Sequence, residues 1–499
     1  AEAAGIPIEH YLSLGRDESA HGPVFSMTVL ALRLSRFRNG VSALHGEVSR
    51  GMWSKIWPGF RQEETPITSV TNGIHTQTWV SPEFDELISD AIGEDWRDRL
   101  HQPSEWSGVR KIPDKHMWAA KNGLRHRLVD FVRVRTADQL RRNGASEKTI
   151  EKTVSNLLDP NAFTIGFARR FALYKRAALL FRDRKRAAAF FGSTKRPVQI
   201  IFAGKPHPED PEGKKLFEEI QTISQLPAFR GKVVLLENYD IEVCRHMVYG
   251  VDIWLNNPRR PLEASGTSGQ KVPVNGGLNV SILDGWWCEG YSESTGFAFG
   301  KPKDYSDHNQ QDNEDNSGLL RCLEREVVPL FYKHNRSGLP KDWLKLVKTS
   351  MADLVPRFST QTMVSNYVNE LYAPAFENGR LLNGSKGRLA HELAEWRERV
   401  ERSWPLAYIR SVTATKAGSG RSSKLSVEVE VYLAGVAPDE VFCSGDTGEL
   451  WPVVSAQATP EGATRLRVRV PGPGAYRIFP SRSGLVEPHE FGECVEFRV

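Results

Sequence analysis

The sequence has 499 residues, 40% of them hydrophobic and 25% charged, with 66 lysines and arginines against 61 acidic residues and a net charge of +5. That length exceeds one ordinary core and implies two to four domains. The near balance of charge argues against a general nucleic-acid-binding surface, while leaving room for a local basic pocket that takes anions.

Residues 1 to about 150 read as mostly helical with polar loops. In SMTVLALRLSRFRNGVSALHGEVSRGMW apolar residues recur at helical spacing, interrupted at Asn39-Gly40. ITSVTNGIHTQTWVSP predicts a short extended run and then a turn-rich loop, and residues 114–135 again predict helix. From about Asn161 the texture changes. AFTIGFA, VQIIFAG, KVVLLEN, VDIWLNN and LNVSILDG are short apolar runs separated by helical-looking stretches such as YKRAALLFRDRKRAAAFF and PEGKKLFEEIQTIS. This alternation predicts βαβ units and a parallel sheet. DHNQQDNEDNS predicts a mobile polar loop, and helices return from about Gly318 to Trp404, with Leu389, Leu393, Trp396 and Val400 on one face. Beyond Pro405 the period becomes two, in KLSVEVEVYL, TRLRVRV, AYRIF and CVEFRV, which predicts a small antiparallel β domain. AGSGRSS, residues 417–423, is a hairpin loop or a linker.

Five cysteines, Cys244, Cys288, Cys322, Cys443 and Cys494, form no CxxC pair, so a reducing, cytoplasmic compartment is expected rather than a disulfide framework. No apolar run approaches the ~20 residues of a membrane span. The opening AEAAGIPIEHYLSLG has neither the basic nor the apolar region of a signal peptide, and without an initiator methionine the chain reads as a fragment of something longer.

In open α/β sheets, ligands bind beyond the carboxyl ends of the strands. Each apolar run here ends in a polar cluster: Arg169-Arg170, Gly204-Lys205, Glu237-Asn238, Asn256-Asn257 and Asp284-Gly285. Between the last two lies PLEASGTSGQKVPVNGG, whose small residues suit a backbone that approaches a ligand closely. SGTSGQK is expected to open a helix with Lys271 in its first turn, an electrostatically poor place for a cation. Spacing alone leaves two readings: a surface turn with a solvated lysine, or an amine engaged as a Schiff base with a carbonyl cofactor. Alone, Arg169, Arg170, Lys175 and Arg176 read as a solvated helix face, Glu263 as a surface acid, His75 as a surface or capping histidine, His45 as a packing residue, and Trp286-Trp287 as core.

EASGTSGQK followed by VPVNG closely resembles the pyridoxal-phosphate attachment segment of the α-glucan phosphorylases, the glycogen, starch and maltodextrin enzymes. FARRFALYKRAALLF, LLENYD, DGWWCEGY, TNGIHT and FSMTVLALRLSRFRNGVSALHGEVS look like further segments of that family in the same order, and WLNNPRRPLEASGTSG is nearest its shorter bacterial and archaeal branch. The resemblance covers about residues 5 to 405. It implies a GT-B-like α/β scaffold: a partial, mostly helical N-terminal α/β domain over 1–155, a doubly wound parallel-sheet domain over 156–405, and an antiparallel β domain over 406–499. It implies that Lys271 bonds pyridoxal phosphate, that Thr267 and neighbouring amides hold the cofactor phosphate, and that Tyr239 and Asn238 line its pocket. Glu263, Ser265 and Gly266 would hold the glucosyl hydroxyls, and Arg170 and Lys175 the substrate or cofactor phosphate, with Tyr174 between them where the family also has tyrosine. His75 would turn its backbone carbonyl to the developing oxocarbenium ion. The implied activity is phosphorolysis of α-1,4-glucan or maltodextrin by inorganic phosphate to glucose 1-phosphate, with retention, without a metal, and in a chain compatible with homo-oligomers. A nucleotide-sugar glucosyltransferase of the glycogen synthase type and a truncated, non-catalytic glucan-binding protein are the alternatives. The family's N-terminal glycine-rich loop over the cofactor phosphate has no counterpart in this sequence, which leaves the activity of the chain open. Gln270 stands where the family usually has methionine, and Pro273 requires the helix to start close to Lys271.

Overall fold

A computed structural model describes residues 5–17, 24–417, 424–445, 450–460, 462–471, 474–481 and 494–498. The chain divides into two compact units, one of residues 40–45 and 69–367, the other of residues 1–39, 46–68 and 368–499.

The first unit is built on a six-stranded sheet: β1 (Phe163–Ala168), β2 (Val198–Ala203), β3 (Val233–Leu236), β4 (Ile253–Asn256), β5 (Leu278–Ile282) and β6 (Gly296–Phe299). All neighbouring pairs are parallel, in the order β3-β2-β1-β4-β5-β6. Every residue of β1, β2, β4 and β5 is buried. Strands covered on both faces carry continuous apolar runs, which is why five of them stand out in the sequence. The sixth, β6, is a four-residue strand that the sequence reading passes over. The order reverses direction between β1 and β4, so the segments leaving those two strands border a crevice at the switch point of a doubly wound sheet.

Helices of this unit include α1 (Thr76–Trp79), α2 (Asp114–Arg142), α3 (Arg184–Phe191), α4 (Pro211–Gln225), α5 (Ile241–Gly250), α6 (His308–Cys322) and α7 (Lys341–Arg357). Residues 307–317 are not a loop. Asp307 caps α6 by accepting the N–H groups of Asn309 and Gln310, and the polar face packs inward because Arg176 pairs with Asp312 and Asp315 at 2.9 and 2.8 Å. The stretch from Tyr174 to Phe191 is also less helical than its spacing suggests, with two 3-10 turns before α3.

In the second unit, two four-stranded antiparallel sheets form the β domain. The strand Thr464–Val470 alternates buried and exposed residues, as period two requires. Val427, Val429, Val431, Leu466, Val468 and Ile478 make its core, with Trp396, Val400 and Trp404 packed on it from the long helical segment α8 (Ala373–Ser403) and the turn after it. Residues 418–423, expected as a hairpin loop or linker, lie outside the described residues. None of the five cysteines is in a disulfide. Among the described residues, no helix is long and apolar enough to cross a membrane.

Candidate active site

The segment after β4 does not open a helix. It makes two 3-10 turns, Thr267–Lys271 and Pro273–Asn275, and then enters β5. Pro273 heads the second turn, so Lys271 ends the first turn instead of beginning a helix. Gly266 precedes the turn with φ 79°, a left-handed conformation that glycine adopts without a Cβ penalty. Gly285 faces the same segment closely enough that a Cβ would lie 2.3 Å from the Ser265 carbonyl oxygen. Side chains brace the turn from several sides: Asn279 donates to the Gly269 carbonyl at 2.9 Å, Trp254 to the Ser268 hydroxyl at 3.2 Å, and Gln270 to the Asn72 carbonyl at 2.8 Å.

One end of the segment carries an ionic cluster. Arg169, which leaves β1, and Lys175 both donate to the buried carboxylate of Glu263, the lysine at 3.0 Å from Oε2. Burial works to raise the Glu263 pKa, but the two cations and their hydrogen bonds outweigh it and hold the carboxyl below its ordinary value. Lys175 also lies over the Tyr174 ring, 4.8 Å from its centroid. Asp284 accepts the N–H groups of Glu263 and Gly285 at 3.0 and 2.9 Å, and burial pushes its carboxyl up to about 7. Among the described residues, two buried polar atoms in this cluster, Arg169 Nη1 and Ser265 Oγ, have no hydrogen-bond partner. A cationic donor and a hydroxyl left unpaired in a buried place suit a phosphate or sugar oxygen.

The other end carries Lys271, half-buried. Its Nζ lies 3.8 Å from Cys244 Sγ and 3.8 Å from the centroid of the Trp79 ring. Among the described residues no carboxylate pairs with it. Tyr239 completes this group: burial and then the Cys244 thiol push its hydroxyl well above the ordinary tyrosine range. Trp79 is held in turn, since Asn275 Nδ2 donates to its carbonyl at 2.6 Å.

Residues 17–320 match the sequence model of the family described as carbohydrate phosphorylase. The chain belongs to the carbohydrate phosphorylase family. It is 39% identical over 437 residues to the maltodextrin phosphorylase of Thermococcus litoralis, covering 88% of this chain and 50% of that protein. Against the glycogen phosphorylase of Mycobacterium tuberculosis the identity is 36% over 489 residues, 96% of this chain and 55% of the other. Against that of Aquifex aeolicus it is 38% over 369 residues, 74% and 52%. The chain thus spans about half the length of these phosphorylases.

Of the residues singled out in the sequence, Lys175, Glu263, Ser265 and Gly266 gather at the first cluster, and Lys271 and Tyr239 at the second, with half-buried Thr267 on the turn between them. Asn238 is exposed in a left-handed conformation before Tyr239, and its carbonyl accepts from Arg135 at 3.5 Å. Arg170 is exposed, while its neighbour Arg169 is buried on Glu263. His75 is exposed at the start of α1, its Nδ1 2.8 Å from Thr78 Oγ1, and its carbonyl accepts the Thr78 N–H at 3.0 Å. Trp286 and Trp287 are core residues, packed with Leu354 and Phe358. Sequence reasoning passed over Cys244 and Trp79 and gave Arg169 no phosphate role. Cys244 has no spacing signal, because it meets Lys271 only through the packing of α5.

Proposed function

We propose that the chain carries out phosphorolysis of α-1,4-glucans such as maltodextrin, releasing glucose 1-phosphate with retention, with pyridoxal phosphate attached at Lys271. The observation that carries this reading is the Lys271 amine: half-buried, without a carboxylate partner among the described residues, and set against an indole and a thiol. That surrounding fits an aromatic aldehyde better than a solvated surface lysine. When bound, the cofactor supplies its phosphate as the acid that protonates the glycosidic oxygen through inorganic phosphate.

The protein's own groups bind and orient. Trp79, Tyr239 and Asn238 would line the cofactor pocket, and Thr267 with the neighbouring turn amides would hold the cofactor phosphate. Arg170 and Lys175 take the substrate phosphate. Two phosphates in contact repel strongly in a low dielectric, so a cationic lining is needed to bring them together. Lys175 can serve while still bonded to Glu263, because an ammonium has three donors. Arg169 joins this set through its unpaired Nη1. Glu263, Ser265 and the close backbone at Gly266 receive the glucosyl hydroxyls. The His75 carbonyl keeps a second lone pair for positive charge developing at the anomeric carbon. The chain follows a GT-B-like organisation with divisions near residues 155 and 405.

The test is to incubate the chain with pyridoxal phosphate, maltodextrin and inorganic phosphate and to measure glucose 1-phosphate. Phosphate-dependent release supports the reading. Glucosyl transfer from a nucleotide sugar without phosphorolysis favours a synthase-type enzyme, and maltodextrin binding without either product leaves a glucan-binding protein.

A further inference from the structure

The 3.8 Å contact between Lys271 Nζ and Cys244 Sγ joins an amine to a thiol inside one pocket. Cys244 is 3% exposed on α5, and its thiol helps to raise the pKa of the Tyr239 hydroxyl after burial. Among the described residues, the other cysteines lack such a partner. Cys288 is exposed, but its neighbour is the Arg260 guanidinium at 3.4 Å, which is a donor and no nucleophile. Cys322 and Cys443 are buried, and burial pushes their thiols up to about 12. Cys494 donates to the Gly59 carbonyl at 3.3 Å.

We infer that Cys244 is a redox modification site that cross-links to Lys271 whenever no cofactor holds that amine. The oxidant is a hydroperoxide, hydrogen peroxide being the smallest. It transfers one oxygen to the Cys244 sulfur, giving a sulfenic acid and one water. The Lys271 amine then attacks that sulfur: an S–N bond forms, the S–O bond breaks, and the hydroxyl leaves with an amine proton as a second water. Sulfur is oxidised by two electrons, the peroxide is reduced to water, and the protein loses two hydrogens. The flexible lysine stem supplies the short movement required. An external thiol reverses the link by attacking sulfur and freeing the amine.

Attachment of the cofactor and formation of the link exclude one another, since both use the same nitrogen. The cofactor-loaded protein is therefore protected, and the unloaded protein is held in a recoverable form that spares Cys244 from irreversible oxidation. This consequence rests on the cofactor reading above; the link itself does not.

The experiment takes the full chain, stripped of any aldehyde cofactor with hydroxylamine, exposes it to hydrogen peroxide, alkylates remaining thiols and maps the peptides by mass. The expected product joins the Cys244 and Lys271 peptides and is lighter than their sum by about 2 Da, the loss of two hydrogens. It disappears on treatment with dithiothreitol, is absent from Cys244→Ser and Lys271→Ala, and is suppressed by prior incubation with pyridoxal phosphate. Recovery of Cys244 as a free thiol or a sulfinic acid, with Lys271 unmodified in folded protein, overturns the inference. Borohydride reduction of an unoxidised sample reads the cofactor separately. A link without a pyridoxyl adduct leaves this inference standing and removes the cofactor reading, and an adduct without a link does the reverse.

Discussion

Glu263 is a buried carboxylate with two cationic partners, and its neighbours decide what each nearby arginine does. Arg169→Ala removes one partner and leaves Lys175, so the loss should be that of a charged hydrogen bond, about 1.5–3 kcal/mol in urea unfolding. Arg170→Ala removes an exposed side chain and should change stability by no more than about 0.5 kcal/mol. The same variant should weaken use of phosphate far more than binding of glucan, seen as a raised KM for phosphate with maltodextrin affinity little changed. Equal loss of both would remove Arg170 from the phosphate site. The sequence shows two adjacent arginines but not which one turns inward, because that depends on where β1 ends and which side each successive residue faces. Small neighbours drew attention to Lys271, but spacing alone left it either a solvated turn lysine or a cofactor amine, and only the resemblance chose between them. Its contacts with Cys244 and Trp79 were not, since both arrive from other elements.

At the scale of elements, α2 supports the site from beneath. Lys121 is 3% exposed and donates to the carbonyls of Tyr249 and Asn275 at 2.9 and 3.0 Å, and Asn275 in turn holds Trp79. Burial lowers its pKa from 10.5 to about 7, against the opposing charge of Asp252. A neutral amine has two N–H donors for these two carbonyls. Between about 7 and 10.5 the unfolded chain binds a proton that the folded chain does not, so this group makes stability rise with pH across that window. The stability difference between the parent and Lys121→Met should therefore grow from pH 7 to pH 10; a constant difference would contradict the assignment. One turn further on, Arg125 and Asp252 pair at 2.7 Å with side chains 3% and 0% exposed. Arg125→Met strands a buried carboxylate and should cost about 3–5 kcal/mol by chemical denaturation. Five strands were readable because both their faces are covered. Helix α6 was not, since its inward face is held by Arg176 and its carboxylate partners instead of by apolar residues.

Across the whole molecule, one parallel-sheet unit carries both clusters, and the segments that leave β1 and β4 bring them to the switch point of the sheet. The sequence pattern leads to that crevice without any family likeness, through apolar runs that end in polar pairs. Residues 17–320, which match the carbohydrate phosphorylase family, include the strands that border this crevice. The account turns on Lys271. Incubation with pyridoxal phosphate, reduction with borohydride and peptide mapping should place a pyridoxyl group on Lys271 and on no other lysine, with Lys271→Ala folded and unlabelled. A folded parent chain whose Lys271 stays unlabelled at saturating cofactor would contradict the account.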